Sequence, residues 1–237
     1  MLVSISMQTF YSIQHIQAAA YMARRSGVVE NALTDAVAPE SVMLKAYVCS
    51  ALFSSVAFLE ALANEIIAEA GEPGGGMLSS INEEHRQAIA SLAGDPAQEK
   101  IPVLEKFRQI LRAAGREPFS KGVNPCQKVS TLISLRNELV HYKAALFDVS
   151  SNGKERPGNF RQSSLSDRIK HKFTRRKHSG GLCGDYWVGY GCAQWAVGTV
   201  VEFADEVFKK LEVTPFFDHV RNELNTACTT ELKTAPN

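Results

Sequence analysis

The segment SLRNELVHYK, residues 134–143, gathers an arginine, an asparagine and a histidine, side chains that can hold an anion, form hydrogen bonds and move protons. Arg136 carries a planar fork of N–H donors with a permanent positive charge. His141, five residues on, carries an imidazole, the group that takes and gives protons near neutral pH. Asn137 follows the arginine directly, and its side-chain amide both donates and accepts hydrogen bonds. An arginine and a histidine at this spacing are common, so the pair gains meaning only from its setting. Here that setting is a long amphipathic helix with Leu132, Leu135 and Leu139 on its inner side.

A helix turns by about 100° per residue, which places Ser130, Ser134, Asn137 and His141 in one narrow polar sector. Arg136 points elsewhere, because five residues is not a whole number of turns. It must reach round the helix, or its partners must come from another helix or another subunit. Glu60 and Asn64, four apart on an earlier long helix, are candidates to meet it if the two helices are neighbours.

The elements that must position these groups read as helices throughout. A first helix is predicted over residues 5–24, closed by Arg24, Arg25 and Gly27, with a linker to residue 38. A long helix is predicted over 41–70, opened by Pro39 and ended by Gly71. Its stripe is Leu44, Val48, Leu52, Val56, Leu59, Ala63 and Ile66. GEPGGG, residues 71–76, breaks the chain. Shorter helices follow over 79–92 and 100–113, parted by Gly94, Asp95 and Pro96, and Gly115 closes the second. The motif helix is predicted over 125–147, with Tyr142 and Leu146 also turned inward. Residues 150–188 are irregular. A last long helix over 191–211 turns Trp195, Val200, Phe203, Val207 and Leu211 inward, and a short one follows Pro215. The expected class is all-α: a four-helix bundle over residues 39–212, an N-terminal helix and linker over 1–38, and a C-terminal helix and tail over 213–237. No strand is expected.

With 237 residues, 45% of them hydrophobic, the chain can bury a substantial core. Its net charge of +1 excludes a uniformly basic nucleic-acid coat, so any nucleic-acid binding needs a local patch. The sequence RIKHKFTRRKH, residues 168–178, offers one in Arg168, Lys170, Lys172, Arg175, Arg176 and Lys177, with Phe173 available to stack on a base. An ordinary solvated loop has the same composition. No apolar run reads as a bilayer span, since Ser50, Ser54, Ser55 and Glu60 interrupt the longest. The start, MLVSISMQTF, lacks a basic region ahead of a long apolar one. A cytoplasmic protein without membrane contact is therefore expected. The five cysteines form no C-x-x-C and are expected as thiols. A zinc set of His171, His178, Cys183 and Cys192 has no familiar spacing, so no metal or cofactor is expected. His15, His85 and His219 stand alone and read as surface or core positions.

Residues Arg136 to His141 resemble the signature of HEPN domains, an arginine followed by a polar residue with a histidine four to six residues after the arginine. VAFLEALANEII, residues 56–67, resembles the first long helix of such proteins, and the likeness extends over about residues 40–212. The resemblance implies a metal-independent RNA endonuclease. Its substrate would be RNA, and its site would form where two motif helices meet in a homodimer. His141 would act in proton transfer, Arg136 would hold the scissile phosphate, and Asn137 would orient His141 or bind phosphate. It further implies roles in stress response, phage defence or toxin–antitoxin pairs, with an antitoxin or regulatory protein as partner. Some HEPN toxins carry a tyrosine two residues after the histidine, where a nucleotidyltransferase modifies them. Here Tyr142 follows His141 directly and Lys143 takes the next place, so that partner is not implied. The alternative is a HEPN-like module that binds partners without catalysis.

Overall fold

The computed structural model describes residues 9–35, 38–94, 100–141, 147–149, 155–157, 168–169, 171–174, 176 and 188–228. The main helices are α1 (Tyr11–Ala32), α2 (Glu40–Ala70), α3 (Glu83–Ala90), α4 (Val103–Ala113), α5 (Cys126–Val140) and α6 (Tyr190–Leu211). Pro73–Leu78, Ser91–Gly94 and Asp218–Leu224 form 3-10 turns.

Helix α2 is the element the others pack around: α1, α3, α4, α5 and α6 all contact it. Every residue of its predicted stripe, from Leu44 to Ile66, is buried. So are Ala51, Phe58 and Leu62, which widens the apolar face beyond a single stripe and suits a helix covered on several sides. By length and hydropathy α2 is long and apolar enough to cross a bilayer, contrary to the expectation from its serines. In this fold part of that apolar surface is covered, most extensively by α1 and α6, and part stays open.

The starts of two helices depend on buried carboxylates from elsewhere. Phe10 offers α1 no side-chain cap. Instead Glu65 of α2 accepts the Ser12 backbone N–H at 2.8 Å and the Ser12 hydroxyl. Gly189 offers none to α6, and Glu30 of α1 accepts the Tyr190 N–H at 2.5 Å. A helix start leaves N–H groups unsatisfied and partly positive, so a carboxylate there is favoured twice over. Buried charge is costly unless hydrogen-bonded, and both glutamates meet that condition. These contacts also set direction. The start of α1 lies beside the end of α2, and Arg25 near the other end of α1 stacks over Tyr47 at 5.8 Å, so the two helices are antiparallel.

Helix α1 runs eight residues beyond its predicted end, to Ala32, and the linker shortens accordingly. Gly27 is not a terminator. A Cβ there would lie 2.8 Å from the Cys228 Cβ and 3.0 Å from the Tyr190 ring, so the glycine admits a close approach. Arg24 donates to the carbonyls of Glu223 at 2.8 Å and Asn225 at 2.6 Å, tying the C-terminal segment to α1. The buried residues of α1 and of the stretch after Pro215 join the same apolar cluster as α2 to α6, so one core runs across the expected boundaries at 38 and 212. Phe216 and Phe217 close it, with ring centroids 5.0 Å from Phe208 and 5.5 Å from Phe58 respectively.

Helix α5 ends earlier than predicted. His141, at φ −107° and ψ 36°, leaves helical geometry while its N–H still donates to the Asn137 carbonyl. Phe147–Val149 then pairs antiparallel with Glu155–Pro157, Phe147 opposite Pro157, so a small hairpin stands where no strand was expected. Tyr142 and Leu146 lie outside the described residues. After α2, Glu69 is buried and accepts the Met77 N–H at 2.6 Å. Gly76, at φ +46°, turns the chain there, where a Cβ would run into the Glu69 carboxylate.

Replacing Glu65 by alanine strands a buried N–H and hydroxyl. Urea unfolding should show a loss of about 2–3 kcal/mol. Glu72→Ala, at an exposed position, should change stability by less than about 0.5 kcal/mol.

Candidate functional site

The open part of α2 is a stripe of its own. Phe53, Ala57, Glu60, Ala61 and Asn64 recur at helical spacing in the gap between α1 and α5. His15 of α1 forms one wall and Arg136 and Val140 of α5 form the other, around an open groove of about 470 Å³. Four polar side chains from three helices therefore converge on an otherwise apolar channel.

Arg136 finds its partner on another helix. Its Nη2 donates to Glu60 Oε1 at 3.0 Å, which links α5 to α2. Asn64, the other candidate, accepts instead from the Lys106 ammonium of α4 at 3.0 Å, a bond that satisfies a buried lysine. The Arg136 and Glu60 side chains remain 28% and 52% exposed. Water thus screens their attraction, and such pairs contribute at most about 1 kcal/mol. A phosphate that offers two acceptor oxygens can compete for the guanidinium on those terms.

Asn137 and His141 are exposed, and neither side chain bonds to a described residue. His141 follows Val140, a lining residue, in the chain and is not itself among the lining. Because α5 ends at Val140, the helical sector shared by Ser130, Ser134 and Asn137 does not fix the direction of the His141 ring.

The basic stretch is divided. Arg168 is exposed and donates to the Thr131 hydroxyl of α5 at 3.2 Å, and Ile169 beside it is buried. Lys172 is half-buried. Arg176 is only 6% exposed and so presents no charge to solvent; it packs beside Gly189 at the start of α6. Phe173 lies against Trp195, ring centroids 5.4 Å apart, and joins the margin of the core, so its ring is not a free base-stacking platform. Lys170, Arg175 and Lys177 lie outside the described residues, as do His178 and Cys183 of the weighed zinc set. Cys192 of that set is buried, and desolvation pushes its thiol well above the usual range. The notable residue that sequence reasoning passed over is His15. Nothing local marks it; its place in the groove follows only from the antiparallel packing of α1 on α2.

No family model, no curated protein and no solved structure matches this chain.

A double-mutant cycle over Glu60→Ala and Arg136→Ala, read by urea unfolding, should give a coupling of about 0.2–1 kcal/mol that shrinks in high salt. A coupling several-fold larger would mean that the pair is effectively desolvated and closed to a competing phosphate.

Proposed function

We propose that this protein is a metal-independent RNA endonuclease of the HEPN type, with α2, α4, α5 and α6 serving as a HEPN-like four-helix bundle. The observation that carries the reading is the Arg136–Glu60 pair in the open groove, with His141 one residue beyond the lining Val140 in the chain. Glu60 holds the guanidinium at the groove, and the weak, screened pairing leaves its donors open to exchange for phosphate oxygens. Arg136 then binds the scissile phosphate and offsets charge as the transition state forms. His141 exchanges a proton with the reacting ribose or leaving oxygen. The 2′-oxygen bonds to phosphorus, the P–O5′ bond breaks, and the products are a 2′,3′-cyclic phosphate and a 5′-hydroxyl. Asn137, exposed beside Arg136, adds a donor for phosphate or steadies the imidazole. Arg168 and Lys172 extend the positive surface toward the RNA backbone. By the resemblance, the working unit is a homodimer in the cytoplasm, engaged in stress response or phage defence, with an antitoxin or regulatory protein as its restraint.

A second reading has its own observation. Phe53 and Val140, on the groove, are 40% and 52% exposed, an apolar pair suited to docking a partner without catalysis.

Wild type, Arg136→Ala and His141→Ala would be incubated with mixed RNA in EDTA. Wild type should yield cyclic phosphate ends, and each variant should lose about 100-fold or more in rate. Intact RNA with wild type across several substrates would remove the nuclease reading and favour the docking module.

A further inference from the structure

The groove around Arg136 contains a histidine, and it is not His141. His15, on the second turn of α1, lines it together with Glu60 and Asn64 of α2 and Arg136 of α5. We propose that the scissile phosphodiester of RNA lies in this α1–α2–α5 groove and that His15 is a second proton-transfer residue of the reaction, complementing His141. The inference rests on the ribonuclease reading above.

Three observations support it. The groove volume of about 470 Å³ is of the size that holds a small-molecule ligand. Its lining is mostly apolar, and its polar groups include a guanidinium, which binds phosphate, and an imidazole, which carries protons, while the Glu60 carboxylate holds the guanidinium and the Asn64 amide is engaged by Lys106. The position of His15 is built and not incidental. Ser12, three residues earlier, is anchored to Glu65 by two hydrogen bonds, and Ile16, the next residue, is fully buried. The turn of α1 that carries the imidazole is therefore held in register with α2, while the imidazole itself is only half-buried.

The chemistry calls for such a group. Cleavage without metal needs one group to take the proton from the 2′-hydroxyl and another to give one to the departing 5′-oxygen. A neutral imidazole accepts the first proton as the 2′-oxygen bonds to phosphorus. A protonated imidazole supplies the second as the P–O5′ bond breaks. One ring gains a proton and the other loses one, so charge and protons balance with no further reagent. Arg136 cannot serve, since guanidinium keeps its proton. His141 accounts for one of the two groups, and His15 is the histidine among the groove-lining residues. The charged groups that line the groove with it are Glu60 and Arg136.

The test uses the full chain, a short RNA oligonucleotide in EDTA, and the variants His15→Ala and His15→Gln. The ring is half-exposed and outside the core, so both variants should melt close to wild type. Each should lose about 100-fold or more in kcat, with KM changed only a few-fold. The wild-type rate should be bell-shaped in pH, and each His15 variant should lack one limb of that bell. Added imidazole should restore part of the rate to His15→Ala and none to His15→Gln, whose side chain still fills the space. If wild type cleaves and both variants keep the rate and both limbs, His15 is not a proton-transfer residue, although the ribonuclease reading stands. If wild type is inert on every RNA tried, that reading fails and the role of His15 falls with it.

Discussion

The carboxylate of Glu65 is held inside the protein at the start of a helix to which it does not belong. Removed from water, it would be a serious cost; bonded to the Ser12 N–H and hydroxyl, it becomes a register pin between α1 and α2. Apolar packing is non-directional and would tolerate a slide of α1 along α2, but a buried charge with two defined donors would not. Glu30 repeats the device at the far end of α1, where it meets the first N–H of α6. Three long helices are thereby fixed along their axes, with both ends of α1 pinned.

The groove is a consequence of that pinning. Helix α2 is buried wherever α1, α4, α5 and α6 cover it and open along the stripe from Phe53 to Asn64. Because α1 is antiparallel to α2 and held at Ser12, His15 falls beside the same turns of α2 that carry Glu60 and Asn64. Helix α5 closes the other side through Arg136. The lysine of α4 engages Asn64, which keeps that amide occupied and leaves Glu60 to hold the arginine. The two ion-binding jobs on α2 are thus divided between neighbouring helices. The weakness of the exposed Arg136–Glu60 pair is compatible with function, since a strong, dry pair would withhold the guanidinium from any ligand.

Much of this was legible in the residues. The stripe from Leu44 to Ile66 located α2 and its buried face, and Pro39 and Gly71 bounded it within a residue. The five-residue gap between Arg136 and His141 left the arginine to reach round its helix or to find partners on another helix or subunit, and Glu60, one of the candidates, is the partner it has. Tertiary contacts overruled local signals elsewhere. Arg24, Arg25 and Gly27 imitate a helix terminus, yet the first holds carbonyls of the C-terminal segment and the glycine admits Tyr190 and Cys228. The motif helix stops at Val140 and His141 leaves helical geometry, although the apolar period in the sequence continues through Tyr142 and Leu146; no contact among the described residues explains that end. Basic composition around Arg176 suggested surface charge, whereas its neighbourhood at the start of α6 buries it. His15 was invisible for a related reason: over-long allowance for the linker hid the antiparallel hairpin that brings it opposite Glu60.

The central claim is that RNA phosphate reaches Arg136 within the α1–α2–α5 groove. It is tested most directly by titrating the isotopically labelled full chain with an uncleavable 2′-deoxy dinucleotide and following side-chain nitrogen signals by NMR. The account predicts saturable shifts of the Arg136 guanidinium and the His15 and His141 rings, with His85 and His219 unmoved. Shifts confined to signals away from the groove, or no shift at Arg136 at saturating ligand, would contradict it.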